Sequence, residues 1–143
     1  MSFDLQLSFM KDLLAKYNNF EECILLDVRW KEWGYSMELV FDYIWKEKDV
    51  VRENLGIEEE RIVIRFSAVQ EFHARNEWND TNLREPQEMG WGAGEVALIR
   101  LENSETFLEK YRSRPVPFYH VAILWESERR IDVVFSQLEV LKE

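Results

Sequence analysis

The sequence predicts an α+β, mainly β fold: a strongly curved, largely antiparallel six-strand sheet or open barrel with an N-terminal helix packed on it. Three observations lead there. Several stretches alternate apolar and polar residues with the period of a half-buried strand. The connections between them are short enough to make neighbours antiparallel. One nine-residue pattern occurs twice, as Arg61-Ile62-Val63-Ile64-Arg65-Phe66-Ser67-Ala68-Val69 and as Arg130-Ile131-Asp132-Val133-Val134-Phe135-Ser136-Gln137-Leu138. In each copy the apolar positions alternate up to the Phe, and the next aliphatic residue then falls one position out of phase. A one-residue slip at a small residue is the mark of a β-bulge, so each copy reads as a bent strand that closes one half of the sheet.

Taken in order, Phe9, Met10, Leu13, Leu14 and Tyr17 recur at helical spacing and stop at Asn18-Asn19, which places a helix over roughly 6–17. A first strand spans 23–33, Gly34-Tyr35-Ser36 turns the chain, and a second strand spans 37–46. Asp49 and Gly56 bracket a short helix as N-cap and C-terminal stop. The first repeat copy then extends from Arg61 to about Phe72. Residues 73–94 read as an irregular connection, a length that in compact domains usually belongs to a functional or mobile loop. Strands follow at 95–102 and 118–125, separated by a brief helix that Ser104 caps and Pro115 and Pro117 end. The second repeat copy completes two triplets of strands, which makes an internal duplication a reasonable hypothesis.

With 143 residues, the chain suits a single domain, 1–143, that buries about two thirds of its unfolded surface without a disulfide. The lone Cys23 lies at a strand start and reads as a packing residue. The N-terminus has neither the basic region of a secretory signal nor a long apolar run, so the cytoplasm is the expected location. A net charge of −10 opposes binding to nucleic acid and to anionic membranes, and favours a basic protein partner through electrostatic steering.

Catalytic signatures are sparse. Gly90-Trp91-Gly92-Ala93-Gly94 has no following Lys and leads into a strand rather than a helix, so it does not read as a phosphate loop. No cofactor is expected. Glu88 and Glu95 flank that loop as the acid pair a hydrolase would use, but nothing in the sequence separates them from solvated surface acids. His73 and His120 are the only histidines and, with loop carboxylates, form the alternative reading: a metal-binding protein or small metal-dependent enzyme. Their spacing matches no compact metal motif, and His120 is half exposed if its strand face is the open one. The stronger constellation is aromatic and acidic: Trp78 and Trp91 with Glu77, Asp80, Glu85 and Glu88, and Trp30 and Trp33 on a hairpin nearby. Tryptophan flanked by carboxylates suits capture of an Arg- or Lys-rich surface. The competing readings are tryptophans folded back over the sheet edge, or exposed aromatics that meet another copy of the chain in a homo-oligomer.

In its length, its charge, its two Arg-Ile-x-aliphatic-x-Phe-Ser strands and the Gly94-Glu95-Val96-Ala97-Leu98 strand between them, the chain resembles the small acidic immunity proteins of bacterial toxin systems. That resemblance implies a cytoplasmic, non-enzymatic protein that masks a partner toxin. It carries no particular binding residue across; the contact residues proposed above rest on the sequence itself.

Overall fold

The computed structural model describes residues 3–43, 61–88, 96–102, 105–125 and 128–143. Helix α1 (Phe3–Lys16) is followed by β1 (Ile24–Lys31), β2 (Ser36–Asp42), β3 (Arg61–Ser67), β4 (Glu71–Asn76), α2 (Asp80–Arg84), β5 (Val96–Glu102), α3 (Glu105–Leu108), β6 (Tyr119–Trp125), β7 (Arg129–Phe135) and β8 (Gln137–Lys142). The strands form two antiparallel four-stranded sheets, ordered β1-β2-β3-β8 and β4-β7-β6-β5. The fold is α+β and mainly β as expected, but the single six-strand sheet is replaced by two sheets that do not close into a barrel.

The difference arises at the repeated element. Each copy is two strands, one in each sheet. After Ser67 the backbone enters the left-handed region at Ala68, with φ +55°, and re-emerges as β4 in the second sheet. After Phe135 a single residue, Ser136, carries the chain from the second sheet back to the first as β8. The copies are each other's partners: β3 pairs with β8 from Ile62↔Lys142 to Ser67↔Gln137, and β4 pairs with β7 from Glu71↔Val134 to Asn76↔Arg129. Where they cross, the Ser136 N–H donates to the Ser67 carbonyl at 3.0 Å and the Gln70 N–H to the Val134 carbonyl at 2.8 Å. The Ser136 hydroxyl donates to the Pro117 carbonyl at 3.0 Å. A bulge and a change of sheet both shift the alternation by one residue, which is why the sequence suggested a bend within one sheet. The expected triplets survive as β1-β2-β3 and β5-β6-β7, each extended by the fourth strand of the other half.

Between the sheets lies one continuous core. Met37, Leu39, Phe41, Ile62, Ile64 and Phe66 of the first sheet face Tyr119, Val121, Ile123, Ile131, Val133 and Phe135 of the second, all buried. Phe66 and Phe135, equivalent residues of the two copies, meet edge-on with ring centroids 4.8 Å apart. Helix α1 adds Met10 and Leu14 and starts earlier than its spacing suggested, at Phe3. Asn18, Asn19 and Phe20 then form a left-handed turn, with φ of +53°, +51° and +56°. Asparagine tolerates that region; Phe20 is held in it by complete burial against Phe41 and Tyr43. Beyond the turn, Glu22 donates to Val96 and Val96 to Cys23, at 2.7 and 2.8 Å, joining the two sheets where β1 and β5 begin. Cys23 is fully buried, the packing role expected of it. The helix expected over 49–56 lies outside the described residues.

Removing a ring at the crossing should be severely destabilising. Phe135→Ala is expected to cost about 3–5 kcal/mol in urea unfolding, the range for a buried Phe truncated in a core. A loss below about 1 kcal/mol would mean that the Phe66–Phe135 contact does not hold the sheets together.

Candidate binding surface

The β1–β2 hairpin ends in a second left-handed turn. Glu32, Trp33 and Gly34 have φ of +52°, +56° and +91°, although only Gly34 adopts such values without strain. The turn is nevertheless tightly bonded. The Tyr35 N–H donates to the Glu32 carbonyl at 3.1 Å, and the Ser36 hydroxyl donates to the Glu32 carboxylate at 2.9 Å. The Tyr35 carbonyl accepts from the Val69 N–H at 3.0 Å, fastening the tip to the sheet crossing. This framework holds Trp33 entirely in solvent, with a relative exposure of 104%, while Trp30 and Tyr35 remain more than half exposed. Left-handed conformations cost L-residues roughly 1–2 kcal/mol each, and such outliers gather at functional sites. Here the strained turn presents an exposed indole on a fixed backbone.

Below the tip, β1 and β4 are edge strands of the two sheets. Between them runs a groove of about 410 Å³ lined by Leu25, Val28, Phe72, Ala74, Trp125 and Arg129, among others. Trp30 meets Phe72 edge-on at 5.4 Å, at one end of β4. At the other end the Arg129 guanidinium lies between two indoles, 4.0 Å from the Trp78 centroid and 4.8 Å from that of Trp125, and its Nε donates to Asn76 Oδ1 at 2.7 Å. Phe72 and Asn76, four residues apart, place those ends about 13 Å from each other at the ordinary rise of a strand.

The segment expected to be an irregular loop is partly ordered by β4 and α2. Its polarity disguised an edge strand, because His73, Ala74, Arg75 and Asn76 are all exposed. Trp78 is half-buried and turned inward onto Arg129, the folded-back alternative. Glu77 is exposed and pairs with Arg75 at 3.1 Å. Asn79 caps α2 by accepting from the Asn82 N–H at 2.8 Å; Asp80 in its first turn and Glu85 just beyond it are exposed. Glu88 ends the 3-10 turn Pro86–Glu88, and Trp91 lies outside the described residues. The structure thus keeps Glu77, Trp78, Asp80 and Glu85 on one short stretch, while Trp33, the most exposed aromatic among the described residues, stands with Trp30 and Tyr35 on the β1–β2 hairpin. Only the absence of glycine at 32 and 33 concealed the form of that turn.

The two histidines sit on the outer face of the second sheet. His120 is 1% exposed, so its strand face is not the open one: the 105–118 connection lays Phe107, Leu108, Tyr111 and Phe118 across it. His120 Nε2 bonds Asp132 Oδ1 at 2.6 Å, and its Nδ1 has no partner. Arg130 grips the same carboxylate with Nε and Nη2, at 2.8 and 2.6 Å. Burial opposes ionisation of Asp132, but the bonds from Arg130 and His120 outweigh it and lower its pKa. His73 instead pairs with Glu71 at 2.9 Å, and the Phe107 ring touches both imidazoles, at 4.3 Å from His120 and 5.3 Å from His73. Among the described residues no three His, Cys, Asp or Glu side chains converge as a metal cage. Sequence reasoning passed over Asp132, although it is the charged residue at the position that the other copy fills with Val63.

Glu71 is the hub of a second network. It accepts from the Tyr111 hydroxyl at 2.6 Å and pairs with Lys110 at 3.1 Å. Burial works against its charge, yet the bonds from Tyr111, His73 and Lys110 together bring its carboxyl down to about 2. Burial and the bond to Glu71 push Tyr111 up to about 12. Glu71 therefore stabilises the fold above its ordinary 4.5, and that contribution is lost as pH falls towards 2. The Tyr111 contribution is complete below 10 and is lost as pH rises through about 12. Urea midpoints recorded against pH should show both declines, and Tyr111→Phe should flatten them. Superimposable profiles for the two proteins would contradict the network.

No family model and no curated protein matches the chain. A solved structure, that of an uncharacterized protein from Neisseria gonorrhoeae, is similar to it with a TM-score of 0.50 at 15% identity, over 85% of this chain and 91% of that one. The likeness is one of fold alone.

Proposed function

We propose that the domain is a non-enzymatic binding module that masks a basic protein partner, a toxin of the kind that immunity proteins neutralise being the partner its sequence resemblance suggests. The observation that carries this reading is the hairpin tip. A fully exposed Trp33, mounted with Trp30 and Tyr35 on a strained but well-bonded turn, has the character of an interface anchor: a large apolar ring presented on a backbone that is already ordered. The chain's net charge of −10 sets the sign of the partner. Glu77, Asp80 and Glu85 supply exposed carboxylates on the stretch that follows β4, and Ala74, Arg75 and Asn76 of that strand line the β1–β4 groove. The partner's Lys and Arg residues would meet these acids while one of its apolar side chains covers Trp33.

The test is affinity capture from source cells with the wild-type chain and two variants. The wild type should retain a basic protein that salt elutes, and Trp33→Ala should weaken retention at least about 30-fold, the loss of a hot-spot residue. Glu77→Gln with Asp80→Asn and Glu85→Gln should mainly slow association and reduce its salt dependence. Retention indifferent to all four substitutions would overturn the assignment of the surface. Self-association of the purified chain that Trp33→Ala abolishes, seen by sedimentation, would replace the partner with a second copy.

A further inference from the structure

We infer that the pocket enclosed by residues 108–118 binds a small organic anion, a carboxylate or phosphate carried on an apolar body. The pocket measures about 480 Å³, within the roughly 300–1,000 Å³ typical of small-molecule sites. Its lining includes Leu108, Tyr111 and Phe118, which are buried and pack with Val134 in a small satellite core. Arg112, Arg114 and Val116 also line it, and Val116 is an exposed apolar residue. An apolar lining with a few cationic groups calls for an amphipathic anion, since a guanidinium holds carboxylate or phosphate oxygens through paired N–H donors.

The local charge runs against that of the whole molecule. Lys110, Arg112 and Arg114 fall within five residues of a chain in which 28 acids outnumber 18 Lys and Arg. Lys110 is committed to Glu71 and Arg112 to Glu109, at 3.1 and 3.4 Å. Arg114 makes no ion pair among the described residues and lies beside the Tyr111 ring, 5.9 Å from its centroid. The Tyr111 hydroxyl is taken by Glu71, which leaves charge recognition to the arginines. The walls are also set in advance. Pro115 and Pro117 fix the backbone, and the Pro117 carbonyl is bonded to Ser136 at the sheet crossing, so a ligand meets little ordering cost.

The probes are 2-naphthoate, 2-naphthyl phosphate and the neutral 2-naphthamide, titrated into the isotope-labelled full chain and followed by amide chemical shifts. Either anion should shift residues 108–114, 116 and 118 saturably, and the tighter of the two names the head group. The neutral amide should bind roughly fivefold more weakly or worse, and Arg114→Gln should weaken anion binding by a similar factor while leaving the amide unchanged. Lys16→Gln, an exposed charge on α1, is the control and should change nothing. Three outcomes overturn the site: no saturable shift up to ~10 mM, naphthamide binding as tightly as the anions, or shifts that centre elsewhere.

Discussion

The crossing of the two repeated strands is the constraint on which the rest of the structure depends. Because each copy gives one strand to each sheet, neither four-stranded sheet is complete without both copies, and the equivalent phenylalanines Phe66 and Phe135 meet in the core between the sheets. Two short backbone bonds, from Ser136 to Ser67 and from Gln70 to Val134, set the angle at which the copies pass. A small residue is required at that point: Ser67 and Ser136 let one backbone approach another closely while satisfying its polar groups. The two halves are thereby interlocked rather than stacked.

The exposed hairpin tip and the 108–118 pocket both hang from this crossing. The β1–β2 tip is tied to it through the bond from Val69 to Tyr35, so Trp33 projects from a fixed point despite its left-handed backbone. The 105–118 connection is tied to it through Ser136 and Pro117, which holds Phe107 over the histidines and shapes the cationic pocket. Surfaces of opposite character, one aromatic and bordered by acids, the other apolar with arginines, are thus held at set positions by one structural joint. The buried His120–Asp132 pair, gripped by the half-exposed Arg130, is almost wholly satisfied internally and explains how charge is accommodated beneath Phe107.

Much of the scaffold was legible in the sequence. The strands expected over 23–33, 37–46, 95–102 and 118–125 declared themselves by alternation, residues 44–46 of the second lying outside the described residues, and the helix by its stripe ending at Asn18-Asn19. What escaped was whatever left no periodic trace. The change of sheet after Ser67 shifted the alternation by one residue, as a bulge would, and the φ of Ala68 has no signature in an alanine. Strand β4 read as loop because its sequence, Glu71 to Asn76, is that of an exposed edge. Of the expected site residues, Trp78 stacks on Arg129, a contact between residues 51 positions apart that the local sequence does not announce. The prominence of Trp33 rests on a left-handed turn without the glycines that usually announce one.

Native-state hydrogen exchange at the crossing tests this account most directly. The amides of Gln70 and Ser136, although each lies between strands, should exchange only on global unfolding, with the same free energy as the centres of β3 and β7. Exchange of either amide at the rate of an exposed connection, while β3 and β7 stay protected, would show that the sheets are stable without the crossing and would contradict its central role.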